Sequence, residues 1–289
     1  MGTIAEWWSQ GELARIALRQ AERTIFMRRA GTGPSLTLLH GFPSSSHDWA
    51  QLLPALAARH ELLALDFLGF GASAKPPEHK YTIAEQADLV EAAWALAGIQ
   101  TTLLVVHDYA VTVAQELLAR RASGSLAVDL QTVLFLNGGL YADVYRPLPG
   151  QEALLDPQLG PQISAALNRE AFVEALRPTF AESFDSLAAR EQIWEAMSRD
   201  DGQLSTHRLI RYMLERKQNA TRWQDALEQT DVPVTFVWGM LDPISGAHMA
   251  KHIRERLPDA PFTALDDVSH WPMLEAPDQV AAAILAEPR

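Results

Sequence analysis

Asp108 follows the apolar run Leu103-Leu104-Val105-Val106-His107 and opens an amphipathic stretch that starts at Tyr109-Ala110-Val111. A carboxylate at such a strand-to-helix junction stands on a sharp turn, with the following backbone N–H groups and the helix N-terminus aimed at any anion that forms there. It can cap its own helix, or it can be held out as a nucleophile. Two further loop residues bear on the choice. Asp242 lies in Trp238-Gly239-Met240-Leu241-Asp242-Pro243 directly after an apolar run, and His270 lies in Asp267-Val268-Ser269-His270-Trp271-Pro272 after the next one. Taken singly, Asp242 reads as a turn residue before proline and His270 as a surface histidine. Taken together, the three stand at strand ends in the order nucleophile, acid, base. In that arrangement the acid sets the histidine tautomer and the histidine activates the nucleophile or a water, which favours catalysis over capping. His40-Gly41-Phe42-Pro43, after an earlier apolar run, adds a backbone N–H at Phe42 that would form an oxyanion hole with the N–H of Tyr109. Backbone donors of this kind stabilise a developing oxyanion by about 3 kcal/mol each.

These residues need a scaffold that gathers strand ends. Apolar runs with strand character occupy 36–39, 61–66, 102–106, 132–136, 232–238 and 261–265, and helical patterns occupy 48–58, 82–97, 110–121, 246–257 and 277–286. Such alternation predicts right-handed crossovers, a parallel sheet with helices on both faces, and a ligand crevice beyond the carboxyl ends of the strands. From 140 to 228 the strand signals vanish and the pattern turns helical, interrupted by Pro147, Pro149, Pro157, Pro161 and Pro178. The expected organisation is therefore a core over 1–139, an inserted helical cap over 140–228, and a second core segment over 229–289.

Composition narrows the partners. The 289 residues are 48% hydrophobic and 21% charged, with a formal net charge of −12 and no cysteine. That charge argues against nucleic acid and anionic surfaces, and no run reaches membrane-spanning length, so small neutral molecules and a cytoplasmic setting are expected. Without cysteine there is no thiolate chemistry, and no Gly-x-Ser-x-Gly follows any strand, so serine-esterase readings lack a nucleophile. His248 and His252 are spaced i, i+4 but lack the glutamate of a zinc-binding HExxH, and read as a solvated helix face. Gly69-Phe70-Gly71 reads as a turn and not a phosphate loop. No metal or other cofactor is expected, and the oligomeric state is expected to be monomer or homodimer.

The segments HGFPSSSHDW (40–49), ALDFLGFGASAKP (64–76), HDYAVTVAQELLAR (107–120), LNGG (136–139), WGMLDP (238–243) and LDDVSHWPMLE (265–275) resemble the epoxide hydrolase and haloalkane dehalogenase branch of the α/β-hydrolase superfamily. More specifically they resemble its mesoderm-specific transcript group, and the likeness runs nearly end to end, weakest in the cap, where Arg216-Lys217 and Arg222-Trp223 share it. The resemblance implies an α/β-hydrolase fold, a mostly parallel eight-stranded sheet flanked by helices with an inserted helical cap. It implies Asp108 as nucleophile, His270 as base, Asp242 as its acid, and Phe42 and Tyr109 as oxyanion-hole residues.

In that branch the aspartate attacks a saturated carbon and the resulting ester is hydrolysed by water. Dehalogenases of the branch carry tryptophan after the nucleophile and Asn or Glu in the third place of the HGxP motif, where this chain has Tyr109 and Phe42. The HGFP form resembles epoxide hydrolases, whose two cap tyrosines protonate the departing oxygen. Tyr212 matches the second in position; no tyrosine stands where the first belongs, which leaves Tyr141, Tyr145 or Tyr212 alone. The expectation is an epoxide hydrolase making vicinal diols from a small apolar or neutral epoxide and water. The alternatives are a haloalkane dehalogenase-like hydrolase and a non-catalytic interaction protein that keeps the fold. His40, His107, Tyr141, Tyr145 and Trp194 are further candidates for substrate contact, with Met197, Leu209 and Met213 shaping the cap. Ala110-Val111 and Val106 depart from the small residues usual around the nucleophile and are expected to tighten its turn.

Overall fold

Two strands that the apolar runs do not reveal, β1 (Glu12–Leu18) and β2 (Ala21–Ala30), open the sheet as an antiparallel hairpin. Charged residues interrupt them, Glu12, Arg15, Glu22 and Arg29 exposed and Arg28 buried, so that the buried Ile16, Leu18, Ile25, Phe26 and Met27 stand in stretches of no more than three apolar residues. The computed structural model describes residues 2–19 and 21–287; the outermost residues of the expected core, Met1, Pro288 and Arg289, lie outside them. Strands β3 (Ser35–Leu39), β4 (Glu61–Leu65), β5 (Thr101–Val106), β6 (Asp129–Leu136), β7 (Val234–Gly239) and β8 (Phe262–Leu265) complete an eight-stranded sheet of order β1-β2-β4-β3-β5-β6-β7-β8. β2 pairs antiparallel with β4, and the pairings from β4 through β8 are all parallel, so the expected mostly parallel eight-stranded sheet is present.

Strands β3 to β7 are buried on both faces, and alternate residues enter different cores. Leu104, Val106, Val133, Phe135, Phe236 and Trp238 pack in one hydrophobic cluster, while Leu103, Val105, Leu134, Leu136 and Val237 pack in the other. Burying each such side chain contributes roughly 1.5–3 kcal/mol, which pins the register, because a slip by one residue would exchange the two faces. The register places Leu39 beside Val106, Val106 beside Phe135, Leu136 beside Val237 and Gly239 beside Leu265. The loops that follow β3, β5, β6, β7 and β8 therefore leave the sheet along one edge.

Helix signals are largely recovered with shifted ends. Helix Ile83–Ala97 starts on Thr82, whose side chain accepts from Glu85 N–H, and stops at Gly98 with φ 72°. The stretch 48–58 is divided into a 3₁₀ turn, Ser46–Trp49, and a short helix, Leu53–Ala57, because Pro54 suits only the first turn of a helix. Gly69 and Gly71 do form a turn, with φ of 95° and 50°, and a side chain on Gly71 would collide with the buried Asp66 carboxylate.

Between β6 and β7 the regular elements among the described residues are helices, including Pro149–Leu155, Arg169–Leu176, Leu187–Ser198, Tyr212–Gln218 and Ala220–Glu228. The excursion is fastened to the buried helix Tyr109–Ala122: Glu116 accepts from Arg222 Nε at 3.0 Å and from Trp223 Nε1 at 2.8 Å. Among the described residues no helix is long and apolar enough to cross a membrane.

Candidate active site

β5 ends at Val106, and Asp108 turns the chain into helix Tyr109–Ala122 with φ 47° and ψ −100°. Its carboxylate makes no hydrogen bond to the helix it precedes, so the capping alternative is not realised. A non-glycine residue at positive φ costs about 1–3 kcal/mol and needs support from its surroundings. Asp108 N–H donates to the Asn137 carbonyl at 2.8 Å, and glycines at two neighbouring strand ends let the backbone approach. A Cβ on Gly138 would lie 3.0 Å from Asp108 Cα and 2.8 Å from the Val111 methyls, and one on Gly41 would lie 2.9 Å from Asp108 Cβ. The bulk expected to tighten the turn is accommodated here: Val111 is fully buried, and its methyls fill the space that Gly138 leaves open.

Asp108 is 5% exposed, Phe42 N–H donates to its Oδ2 at 2.9 Å, and His270 Nε2 stands 3.9 Å from its Oδ1. The Tyr109 N–H, first of its helix, has no acceptor among the described residues. On the far side of the imidazole, Nδ1 donates to Asp242 Oδ2 at 2.9 Å. Asp242 also accepts from Asn137 Nδ2 (3.0 Å), Ser245 Oγ (2.6 Å) and Ile244 N–H (2.8 Å). Burial alone would raise the Asp242 carboxyl, but the charge of His270 and these donors hold it well below the usual carboxylate range. Burial alone would likewise lower His270, but Asp242 beside it and Asp108 facing it raise it to about 9. Burial raises Asp108, against the pull of His270, Arg216 and the Phe42 N–H.

Two residues that the sequence reading did not single out organise this geometry. Asn137 exchanges hydrogen bonds with the Gly239 backbone at 2.6 and 2.8 Å while reaching Asp242, so one amide ties the ends of β6 and β7 together. Its signal was its place at the end of a buried strand in Leu-Asn-Gly-Gly. Glu275 accepts from Ser269 N–H at 3.1 Å and Trp271 N–H at 3.0 Å, on either side of His270, and from Ala181 N–H at 2.9 Å. Asn137→Ala is expected to lower stability by about 2–4 kcal/mol, because it leaves buried partners unpaired. A urea unfolding midpoint equal to the parent's would show that the bridge contributes nothing.

The remaining candidates divide into those near the carboxylate and those elsewhere. Tyr212 is buried at 3% exposure, with its ring 4.8 Å from that of Tyr109 and 6.1 Å from that of Phe42. Burial and Asp108 raise its hydroxyl well above the usual phenol value. Tyr145 is also buried, its hydroxyl without a partner among the described residues. The Tyr141 hydroxyl is likewise buried without a partner among the described residues, and its ring packs edge-on against His252, centroids 4.5 Å apart.

His40 accepts from Phe67 N–H at Nε2 (3.1 Å) and donates from Nδ1 to the Gly41 carbonyl (2.8 Å). His107 donates from Nε2 to the His270 carbonyl (2.8 Å). Burial lowers both, these bonds hold the loops around the carboxylate, and neither ring is part of the lining of the cavity described below. Trp194 packs on Phe172 at 5.4 Å and faces a separate surface cleft beside Arg169 and Glu191. His248 donates to the Ile244 carbonyl at 3.0 Å, so the rings of His248 and His252 serve different partners.

A cavity of about 380 Å³ lies between the strand-end loops and the helical excursion. Phe42, Ile244, His270 and Trp271 line it from the core, and Leu148, Leu154, Phe172, Leu176 and Met197 from the other side. Its size suits a small ligand and its walls suit an apolar one.

The model of the Alpha/beta hydrolase family matches residues 38–283. "Putative hydrolase LipZ" of Mycobacterium tuberculosis is 34% identical over 286 residues, 98% of this chain and 97% of that protein. The human mesoderm-specific transcript homolog protein is 37% identical over 255 residues, 86% of this chain and 76% of that protein. In fold, the chain is similar to a loop variant of haloalkane dehalogenase DbeA from Bradyrhizobium elkanii, with TM-score 0.78, 20% identity and 95% of each chain covered.

Proposed function

The chain belongs to the alpha/beta hydrolase family, and within it we propose an epoxide hydrolase that works through an ester on Asp108. The observation that carries this reading is a buried carboxylate held off its own helix, with the Phe42 N–H on one oxygen and His270 facing the other. Oδ1 attacks an epoxide carbon, the carbon–oxygen bond breaks, and Tyr212 gives its proton to the departing oxygen. An alkoxide is far more basic than a phenolate, so that transfer is favourable even from a raised phenol. His270 then takes a proton from water as the water oxygen attacks Asp108 Cγ, while the N–H groups of Phe42 and Tyr109 hold the charge on Oδ2. The tetrahedral species collapses by breaking the Cγ–Oδ1 bond, and the proton on His270 passes to the leaving oxygen. The diol departs with the former Oδ1; Asp108 retains the water oxygen and with it the second water proton, which returns to the Tyr212 phenolate and restores both groups.

Tyr145 is the better-supported second donor, because Asp108 influences its ionisation, whereas the charged groups that act on Tyr141 are Glu228 and Arg256. A dehalogenase reading is less well supported: the indole in the cavity wall, Trp271, donates to Thr179 Oγ1 at 2.8 Å and leaves no indole N–H there for a halide.

Styrene oxide and cyclohexene oxide are expected to give diols, and 1-bromoalkanes to release little bromide. Bromide release without diol formation from any epoxide tried would overturn the proposal. Tyr212→Phe is expected to slow ester formation by about 10²-fold while ester hydrolysis keeps its rate, because only the first step needs the phenolic proton.

A further inference from the structure

Arg216 carries a buried charge that the chemistry just described does not use. It is 3% exposed, and no carboxylate lies within ion-pair distance of it among the described residues. Taking an ammonium- or guanidinium-sized ion out of water costs several kcal/mol unless something compensates it. Arg222, on the same helical excursion, has Glu116 for that purpose. Arg216 has Thr112, whose Oγ1 accepts from Nε at 3.1 Å and from Nη2 at 2.9 Å, and the ring faces of Tyr145 and Tyr212, whose centroids lie 5.0 and 4.9 Å from its Cζ. A hydroxyl and two rings supply less than a carboxylate does.

The position is built into the strand-end motif. A Cβ on Gly139 would lie 2.0 Å from Arg216 Nη1, so the second glycine of Leu-Asn-Gly-Gly opens the notch that the guanidinium fills, while the first, Gly138, admits Asp108. Thr112 is one helical turn beyond Asp108 on the same face of its helix.

We infer that Arg216 is a positioning residue of the reaction centre, one whose buried positive charge acts through Asp108, Tyr145 and Tyr212. This rests on the reading that Asp108 is the nucleophile and the tyrosines are the donors. As the Tyr212 proton moves to the departing oxygen, its ring face becomes more negative and its attraction to Arg216 grows. The interaction is then stronger in the transition state than in the ground state, which is the condition for raising a rate. The titratable and charged groups around Asp108 are His270, Asp242, Asp48, Tyr145, Tyr212 and Arg216. Of these only His270 and Arg216 favour the charged carboxylate, and Arg216 also eases ionisation of both tyrosines against their burial.

Rapid-quench measurement of ester formation and ester hydrolysis with styrene oxide, as a function of pH, tests the inference. In Arg216→Gln, ester formation is expected to slow by about 10- to 100-fold, and its acid limb to move up by about one pH unit, the shift that loss of a nearby opposite charge produces. Hydrolysis, which begins after Asp108 has lost its charge, is expected to change little. Arg216→Lys keeps the charge and is expected to restore the limb. An unchanged limb in folded Arg216→Gln, or a Lys variant as impaired as the Gln one, would overturn the inference. Should Arg216→Gln not fold, Thr112→Val, which loosens the tether, carries the same test, with an upward limb expected and an unmoved one counting against it. A parent enzyme that forms no ester on Asp108 would instead remove the reading on which the inference rests.

Discussion

His270→Gln is expected to yield a protein that reacts once with an epoxide and then stops. Glutamine is close in reach to the imidazole and can still meet Asp242, but it cannot accept a proton from water. Ester formation needs only the charged Asp108 and a proton donor, so it proceeds, while hydrolysis slows by about 10³-fold or more. The intact mass should rise by the full mass of the epoxide, because ring opening expels nothing, and peptide mapping should place the addition on Asp108. Steady turnover with an unmodified Asp108 would contradict the mechanism.

The same step has a pH dependence whose sign follows from the charges. In the free protein His270 sits at about 9; burial opposes its charging, while Asp242 and Asp108 favour it. Esterification neutralises Asp108 and withdraws one of the favourable charges, so the imidazole of the ester form titrates at lower pH than that of the free protein. The base is thereby released when it is needed, and hydrolysis of the wild-type ester should slow as pH falls through that lowered value.

Asp108→Asn is expected to abolish turnover, by about 10⁴-fold or more, because the amide cannot form the ester. Its stability should stay close to the parent's: the amide oxygen can still accept from Phe42 N–H, and a buried charge has been removed. The variant also reports on the coupling. Without the Asp108 charge, the His270 titration followed by NMR should move below about 9. A His270 titration at the parent value would mean that the two groups do not interact, which the 3.9 Å separation argues against.

Much of this arrangement was legible along the chain. The apolar runs located six strands, and the ends of those runs placed Asp108, Asp242 and His270 on a common edge, because strand period and turn chemistry are written in neighbouring residues. The hairpin β1–β2 escaped because Arg and Glu break its apolar residues into stretches of three or fewer. His40 and His107 looked like ligands because a histidine beside a nucleophile has the right chemistry. Their rings also hydrogen-bond to the backbone of Gly41, Phe67 and His270, contacts that no local pattern announces.

By itself the sequence determined the family, the parallel sheet and the identity of the candidate nucleophile, acid and base, since each depends on short-range pattern or on the order of motifs. Only the tertiary structure decided that Tyr145 faces the carboxylate's field while Tyr141 turns to His252, that Asn137 joins Asp242, and that Arg216 rests on Thr112. The reason is range. Asn137 and Asp242 are 105 residues apart, and Thr112 and Arg216 are 104 apart. Which side chains meet over such separations is set by how the sheet edge and the helical excursion pack against each other, and that packing has no period to read.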